Sequence, residues 1–297
     1  MTTAVLRAPG AAEPPVESRD RPAGRRFDWG QPFVYLIALV VIGITIVPIL
    51  YVILGGFRST GQLANRPNAL PDPWIFENYT SVLQTPSFWT QVGNSTLAAL
   101  VTTLGVVTLG VMAAFVIARY EFRGRGALYT LFTVGLLFPL SVAVLPLYLL
   151  LQNLGLLGSL AGVIAPQIAF ALPVTIVILV PFLRAIPAEL EDAASIDGAS
   201  RIGFFVRILL PLSGPGLMTV GVLAFVGSWN GYLLPLLVLN DPAAFTLPLG
   251  VQAFSTQYSQ DTAKVLAFTS LAMLPALIFF TLAERRIVGG LTGAVKG

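Results

Sequence analysis

The stretch IPAELEDAASIDGASRIGFFVRILLPLSGPGL, residues 186–217, is a charged island between two long apolar runs. Pro187 can begin a helix, and the acids that follow it are favoured by the exposed amides at the start of that helix. Asp197 and Gly198 form a turn pair that can end the helix, because glycine adopts positive φ at no steric cost. The stretch therefore predicts a short helix that ends near Ile196 in a defined turn.

A second helix is expected directly after this turn, from Ser200 to about Leu210. Ile202, Phe205 and Leu209 recur on one face of that helix, which makes it amphipathic. The apolar runs on either side are long enough to cross a membrane. The two short helices together therefore predict a helix–turn–helix that lies on a membrane face.

The composition is that of a membrane protein, with 56% hydrophobic and 10% charged residues. Soluble domains carry about a quarter charged residues, so a soluble fold is excluded. Six apolar runs contain no Asp, Glu, Lys or Arg, and each can cross a hydrocarbon core of about 30 Å as a helix. The sequence therefore predicts an all-α integral membrane protein with six transmembrane helices. The six runs are residues 32–57, 92–118, 127–151, 160–183, 212–239 and 265–282.

The basic residues are distributed unevenly between the two sides of the predicted spans. Fourteen fall on the side of the N-terminal segment and three on the opposite side, which places both termini in the cytoplasm. Residues 1–30 lack hydrophobic periodicity and are expected to form a disordered cytoplasmic tail, while residues 31–297 are expected to form the transmembrane domain. The net charge of +3 follows from this asymmetry, so we expect no nucleic-acid partner.

Catalysis and metal binding find little support in the residue types present. The chain has no cysteine and no histidine, which removes the commonest metal ligands and the usual general base. Its lysines, Lys264 and Lys296, follow alanine and valine, so the phosphate-binding loop G-x-x-x-x-G-K-[ST] is absent. We expect a transporter subunit without its own ATPase motif, not an enzyme, driven by another polypeptide.

Two alternative functions stay open at this point. One is an intramembrane lipid-linked transferase, which would need a base or an acid pair near the membrane. The other is an ion-coupled secondary transporter, a class that usually buries charged side chains within its spans. The predicted spans of this chain contain no charged residue, which disfavours both without excluding either.

The charged island resembles a known signature. The segment LEDAASIDGA at residues 190–199, the pair FF at 204–205 and the pair LP at 210–211 resemble the EAA loop of ABC importer permeases. The resemblance implies a type I ABC importer permease fold, in which residues 187–211 couple the permease to a cytoplasmic ATPase. Asp192 stands where the family usually has glutamate, which keeps the charge but shortens the side chain by one methylene.

The resemblance extends over most of the chain. PLYLLLQNLGLLGS at residues 146–159 and SWNGYLLPLLVL at 228–239 are similar to segments of the carbohydrate-uptake class. The ending GLTGAVKG at 290–297 resembles the end of that class's maltose-transporter-type permease subunit, and we expect it to reach toward the ATPases. These likenesses imply sugar or oligosaccharide import by a multi-pass protein that contacts lipid in a bacterial-type cell membrane.

The resemblance also implies the partners of such a subunit. They are a second, related permease subunit, two ABC ATPase subunits and an extracytoplasmic solute-binding protein. ATP and Mg²⁺ would be bound by the ATPase subunits, so no cofactor and no metal are expected in this chain.

Two groups of site residues follow from these observations. The residues expected to couple to the ATPase are Glu191, Asp192, Ala193, Ala194, Asp197, Gly198 and Phe205. Among them, Ala193 and Ala194 are expected on the exposed face of the first helix, because small side chains allow close approach. The residues expected to line the sugar path are Trp229, Asn230, Gln167 and Asn94. For each of them the alternative is a hydrogen bond that holds two helices together. Trp229 is placed in the middle of a span, where tryptophan is unusual.

Overall fold

The computed structural model describes residues 30–254 and 261–294, with side chains for residues 32–254 and 261–281. The expected tail, apart from residue 30, and the last three residues therefore lie outside the described part. The regular elements in that part are helical. In chain order the helices are α1 (Gly30–Gly55), α2 (Thr60–Asn65), α3 (Glu77–Gln84), α4 (Pro86–Arg119), α5 (Arg125–Gly135), α6 (Leu140–Asn153), α7 (Leu160–Arg184), α8 (Glu189–Ile196), α9 (Arg201–Leu212), α10 (Gly214–Trp229), α11 (Leu233–Val238), α12 (Leu247–Gly250) and α13 (Thr262–Ala294). Single 3₁₀ turns cover Pro242–Ala244 and Val251–Phe254.

The described helices supply four to six candidate membrane spans. Helices α1, α4, α7 and α13 are each long and apolar enough to cross a membrane alone. Two bent pairs raise the number to six if each pair counts as one span. They are α5 with α6, bent by 102°, and α9 with α10, bent by 75°. The expectation of six apolar spans holds in this form, with two of the spans broken.

Two of the expected apolar runs, 127–151 and 212–239, are not continuous helices, which corrects the boundaries expected from hydropathy. The run 127–151 is interrupted before α6, because Pro139 has no backbone N–H and disfavours helical geometry in the residue before it. The run 212–239 ends as a helix at Trp229 and resumes only at Leu233. A continuous helix there would lose the bond from residue 235 to the carbonyl of Gly231, since residue 235 is proline.

The described chain divides into two compact units between Ile49 and Leu50. In the first unit, nearly all side chains of α1 are exposed and apolar, which suits a lipid environment. The second unit holds the hydrophobic cores. The largest core joins α4, α7 and the α8–α9 segment, and its fully buried side chains include Ile117, Leu179, Leu183 and Leu209.

Helix α4 is the central element of the second unit and packs closely on α7. A Cβ at Gly105 would collide with Ile168, and a Cβ at Gly110 would collide with Thr175. Ala114, one turn further on, is completely buried. These small residues let the two helix backbones approach, which is the usual device of helix packing in membranes.

Candidate coupling surface and solute cavity

The turn between α8 and α9 has a fully defined geometry. Gly198 has φ +79°, as expected for the left-handed position after a helix. The N–H of Ala199 donates to the carbonyl of Ala194 at 2.9 Å, and the N–H of Gly198 donates to that of Ser195 at 3.1 Å. These two bonds form a Schellman motif, which closes the C-terminus of α8. The prediction that α8 ends at Ile196 in a fixed turn is therefore confirmed.

The start of α9 is held just as firmly. The side chain of Ser200 accepts a hydrogen bond from the backbone N–H of Gly203 at 3.1 Å, which makes Ser200 the N-cap of α9. Only two residues separate this cap from the C-cap of α8 at Asp197. The angle between the two helices is consequently fixed by backbone bonds at the end of α8 and by the Ser200 side chain at the start of α9.

Helix α9 contains a π turn at Phe205–Leu209, in which the N–H of Leu210 donates to the carbonyl of Phe205. A π turn brings residues five apart to the same face, so Phe204 and Leu209 are both buried. Ile202, which was expected on this face, is instead 76% exposed. The expected face of the second helix is therefore wrong in part, because α-helical spacing was assumed where the helix is wider.

The burial of α8 corrects one expected site residue. Ala194 is 5% exposed and belongs to the core that α4 and α7 share, so it does not lie on the outer face. One side of α8 faces the apolar core, so Ala194 on that side is buried, while the residues on the opposite side of α8 stay exposed. Ala193 is exposed as expected, and Ile196 is 86% exposed.

The outer face of this segment combines apolar and acidic side chains. Ile196 and Ile202 project from its two helices, and the carboxylates of Asp192 and Asp197 are exposed beside them. Within the described side chains, none of the acids on α8 or its cap lies within ion-pair distance of an Arg or Lys. An exposed apolar patch with unpaired carboxylates suits a partner surface that is apolar with basic groups at its rim.

The inner face of the segment contacts the end of α4. The ring of Phe205 lies 4.8 Å from that of Phe115, centroid to centroid. Arg119 Nη2 donates to the carbonyl of Ile186 at 2.8 Å, just before α8 begins. A displacement of the α8–α9 segment would therefore be felt first by α4.

A cavity of about 330 Å³ lies between α4, α7 and α10. Gln167 Oε1 accepts hydrogen bonds from Thr102 Oγ1 at 3.0 Å and from Ser228 Oγ at 2.7 Å, so one side chain from each helix meets on the cavity wall. The aromatic rings of Phe170 and Tyr232 also line it. The wall has no charged residue, and it offers hydroxyl, amide and aromatic groups.

The residues expected along the sugar path lie at different places in the structure. Gln167 lies on the cavity wall. Trp229 is 3% exposed, and its indole N–H donates to the carbonyl of Ala272 at 3.2 Å. It ends α10 and so does not lie mid-helix as expected. Asn230 is exposed and lines, with one edge of Trp229, a second cavity of about 250 Å³ beside α12 and α13.

Asn94 holds a loop and does not line the cavity between α4, α7 and α10. Its Nδ2 donates to the carbonyls of Ala243 and Phe245 at 2.9 and 3.0 Å. One residue further along α4, Ser95 Oγ accepts from the N–H of Leu247 at 2.7 Å. The alternative role of a hydrogen bond between segments therefore accounts for Asn94.

Three polar residues on the cavity wall were not among the expected path residues. Thr102, Ser228 and Tyr232 were not chosen, although Ser228 had the same polar character as its neighbours in the sequence. Thr102 follows Asn94 and Ser95 on α4 at spacings that keep all three near one face. That spacing was the available signal. Among the described residues, no group of three acidic side chains comes together that could hold a metal ion.

Comparisons with known proteins agree with this arrangement. The family model described as "Binding-protein-dependent transport system inner membrane component" matches residues 106–287. The chain is 36% identical over 251 residues to the diacetylchitobiose uptake system permease protein NgcG of Streptomyces coelicolor, which covers 84% of this chain and 83% of that protein. It is 35% identical over 261 residues to the trehalose transport system permease protein SugB of Mycobacterium tuberculosis, which covers 87% and 95%.

A solved structure gives the likeness in three dimensions. The chain superposes on a subunit of a bacterial ABC transporter involved in the import of the acidic polysaccharide alginate, with a TM-score of 0.74. The match covers 87% of this chain and 98% of that one, at 20% sequence identity. At this identity the likeness establishes a shared fold.

Proposed function

Because this chain belongs to the family of inner-membrane components of binding-protein-dependent transport systems, we propose that it carries a sugar or oligosaccharide inward as the permease subunit of an ABC importer. Its fold is the type I ABC importer permease fold. Two relatives are named for the uptake of diacetylchitobiose and of trehalose, which supports a carbohydrate as the substrate class.

The observation that carries the proposal is the polar group shared by three helices at the cavity between α4, α7 and α10. Thr102, Gln167 and Ser228 present hydroxyl and amide groups without charge, which matches the hydroxyls of a neutral sugar. Phe170 and Tyr232 supply ring faces in the same cavity. Apolar walls with a few convergent polar groups are the usual form of a small-molecule site.

A transport assay tests this assignment. The uptake of radiolabelled trehalose or diacetylchitobiose is measured in membranes that contain the assembled transporter. We expect Ser228→Ala to raise the KM for uptake while the yield of complex is unchanged. Removal of one neutral hydrogen bond to the solute corresponds to about 0.5–1.5 kcal/mol, or roughly a two- to tenfold change. Uptake with an unaltered KM for every carbohydrate tried would remove Ser228 from the path.

The energy for uptake is proposed to come from ATPase subunits that bind the outer face of α8. The face offers Ala193 and Ile196, with the carboxylates of Glu191 and Asp192 beside them. Since the chain contains no cysteine, Ile196→Cys would be its only thiol and can be cross-linked to single cysteines on the ATPase. The buried Ala194→Cys is the matched control and should not react. Continued transport without any cross-link from residue 196 would disprove this docking face.

The remaining partners and the topology complete the proposal. A solute-binding protein delivers the sugar, as the family description supports, and a second permease subunit encloses the path from the other side. ATP and Mg²⁺ belong to the ATPases, because this chain has no phosphate-binding loop.

Both termini are proposed to be cytoplasmic, on the basis of the basic-residue asymmetry. Reporter fusions at Gln62 and Gly124 should lie on opposite sides of the membrane, with Gly124 inside.

A further inference from the structure

A polar cavity of about 470 Å³ lies just beyond the end of α1, far in sequence from the coupling surface and separate from the solute cavity. Its wall is formed by α2 and the segment that follows it, with Arg58, Gln62, Arg66 and Asp72 among the lining residues. The proposed import function uses none of these side chains. The cavity therefore requires an explanation of its own.

Arg58 is the buried centre of this cavity wall, with 2% of its surface exposed. Nη1 donates to the carbonyl of Pro67 at 2.9 Å, and Nη2 donates to the carbonyls of Gln62, at 2.9 Å, and of Arg66. Nε is buried and has no hydrogen-bond acceptor among the residues that the structure describes. A guanidinium has five N–H groups, so two of them are uncommitted to carbonyls.

No carboxylate among the described side chains lies within ion-pair distance of Arg58. The ion pair found among the described side chains joins Lys264 and Asp261, and it does not involve the cavity. A buried cation that faces only carbonyl dipoles is costly unless an anion completes its environment. Arg66 adds a second, exposed positive charge to the same wall. The wall is thus suited to an anionic group that approaches from outside the chain.

An aromatic cluster adjoins the cavity wall. The ring of Phe57 lies 5.4 Å from Trp74, 5.2 Å from Phe76 and 4.4 Å from Tyr79, centroid to centroid. Trp74 and Phe76 are exposed, as is Leu70 on the cavity wall itself. Exposed aromatic residues at the end of a span are typical of the headgroup layer of a bilayer.

The segment that carries these groups is rigidly attached to the end of α1. Asn78 Nδ2 donates to the carbonyls of Gly56 and Arg58 at 2.9 and 2.8 Å, and the hydroxyl of Tyr79 donates to that of Ile53 at 2.7 Å. The position of the cavity relative to the last turn of the span is consequently fixed. A ligand held there would lie next to the C-terminal end of α1.

We propose that this cavity binds the head group of a phospholipid, with the phosphate on Arg58 and Arg66 and a primary ammonium on Asp72. Phosphate accepts hydrogen bonds from guanidinium groups in matching geometry. The carboxylate of Asp72, exposed on the cavity wall, would repel a second anionic group and attract a cation. The acyl chains would then lie along the exposed Leu70, Trp74 and Phe76. The head group is therefore of the phosphoethanolamine type.

Native mass spectrometry of the assembled transporter tests the site. The complex is incubated with phosphatidylethanolamine, phosphatidylglycerol or phosphatidylcholine, and the bound lipid is counted. We expect phosphatidylethanolamine to be retained best. Arg66→Gln should weaken its binding by about fivefold, the effect of one basic residue near a lipid surface. Asp72→Asn should abolish the preference over phosphatidylglycerol. Both side chains are exposed, so neither change disturbs the core.

The controls separate the proposed head-group site from other sources of binding. Arg123→Gln changes an exposed arginine outside the cavity and should leave retention unchanged. Inorganic phosphate in millimolar excess should not displace the lipid, and displacement would show that a free anion is the ligand. Retention unaffected by both Arg66→Gln and Arg58→Gln, or a better retention of phosphatidylglycerol, would also overturn the proposal.

Discussion

The guanidinium of Arg201 lies over the ring of Tyr120, 5.1 Å from the ring centroid. Arg201 is the first residue of α9, and Tyr120 is the C-cap of α4. This pair therefore joins the coupling segment to the end of the central helix. With the Phe205–Phe115 contact and the bond from Arg119 to Ile186, it gives the segment three attachments to one helix end.

The attachment predicts an uncoupling phenotype. Tyr120→Ala removes the ring, and we expect ATP hydrolysis to continue while sugar uptake per ATP falls. The contact corresponds to about 0.5–1 kcal/mol at an exposed site. Tyr120→Phe keeps the ring face and should restore normal coupling. The ratio of uptake to ATP turnover in proteoliposomes measures the effect. Arg207→Ala on the same helix serves as the control, and an equal loss there would contradict a specific role for Tyr120.

The left-handed turn at Gly198 predicts sensitivity to any larger residue. Gly198→Val places a β-branched side chain at φ +79°, which costs on the order of 1–3 kcal/mol. We expect the protein to insert normally but to transport poorly, because the angle between α8 and α9 changes. Gly126→Val is the control, since that glycine has open space and no positive φ. Equal uptake by the two variants would show that the turn geometry is unimportant.

The cavity between α4, α7 and α10 can be filled by a larger side chain at Gly227. Gly227 lines the cavity, and a Cβ added there meets no atom within 4 Å. Gly227→Leu should therefore occupy the path without straining the helix, and we expect uptake to fall at least tenfold while complex assembly persists. Gly93→Leu, on an exposed and equally open position of α4, should leave uptake near the wild-type value. Normal uptake by Gly227→Leu would move the path elsewhere.

Asn94 is predicted to control the order of the loop it holds. Asn94→Asp replaces Nδ2, which donates both bonds, by one carboxylate oxygen that faces the carbonyls of Ala243 and Phe245, at a cost of about 1–3 kcal/mol. Hydrogen exchange of peptides covering residues 241–254 should accelerate about tenfold or more. Thr96→Val is the matched control, because the Thr96 hydroxyl bonds only within α4, to Val92. Unchanged exchange in Asn94→Asp would assign the loop's stability to packing alone.

Local features of the fold could be predicted from the sequence, and tertiary ones could not. The end of α8 and the positive φ of Gly198 follow from residues within one turn, and both were expected. The exposure of Ile202 was missed, because the π turn that buries Phe204 and Leu209 forms against Phe115, about 90 residues away in sequence. Ala194 was predicted on the exposed side of α8 for the same reason. The sequence of a helix this short does not indicate which of its sides packs against the core.

The candidate path shows the same limit. Gln167 was predicted as a path residue because its amide is polar and uncharged, and it lies on the cavity wall. Its partners Thr102 and Ser228 lie on other helices, so no sequence separation indicated these two contacts. Hydropathy also treats residues 212–239 as one run, since it responds to apolarity and not to the backbone break after Trp229. The tryptophan therefore looked like a path residue in mid-span, whereas it packs at a helix end.

Helix α4 is one unbroken helix of 34 residues with no proline beyond its first position, so it is about 50 Å long. The N-terminal part of α4 is bonded to the 241–254 loop through Asn94, its C-terminal end contacts the coupling segment through Tyr120, and its middle packs on α7 at Gly105 and Gly110. A rigid helix that is held at its middle tilts about that point. A tilt of α4 about this contact would move its two ends in opposite directions, so under the proposed function a displacement of the coupling segment would also displace the 241–254 loop.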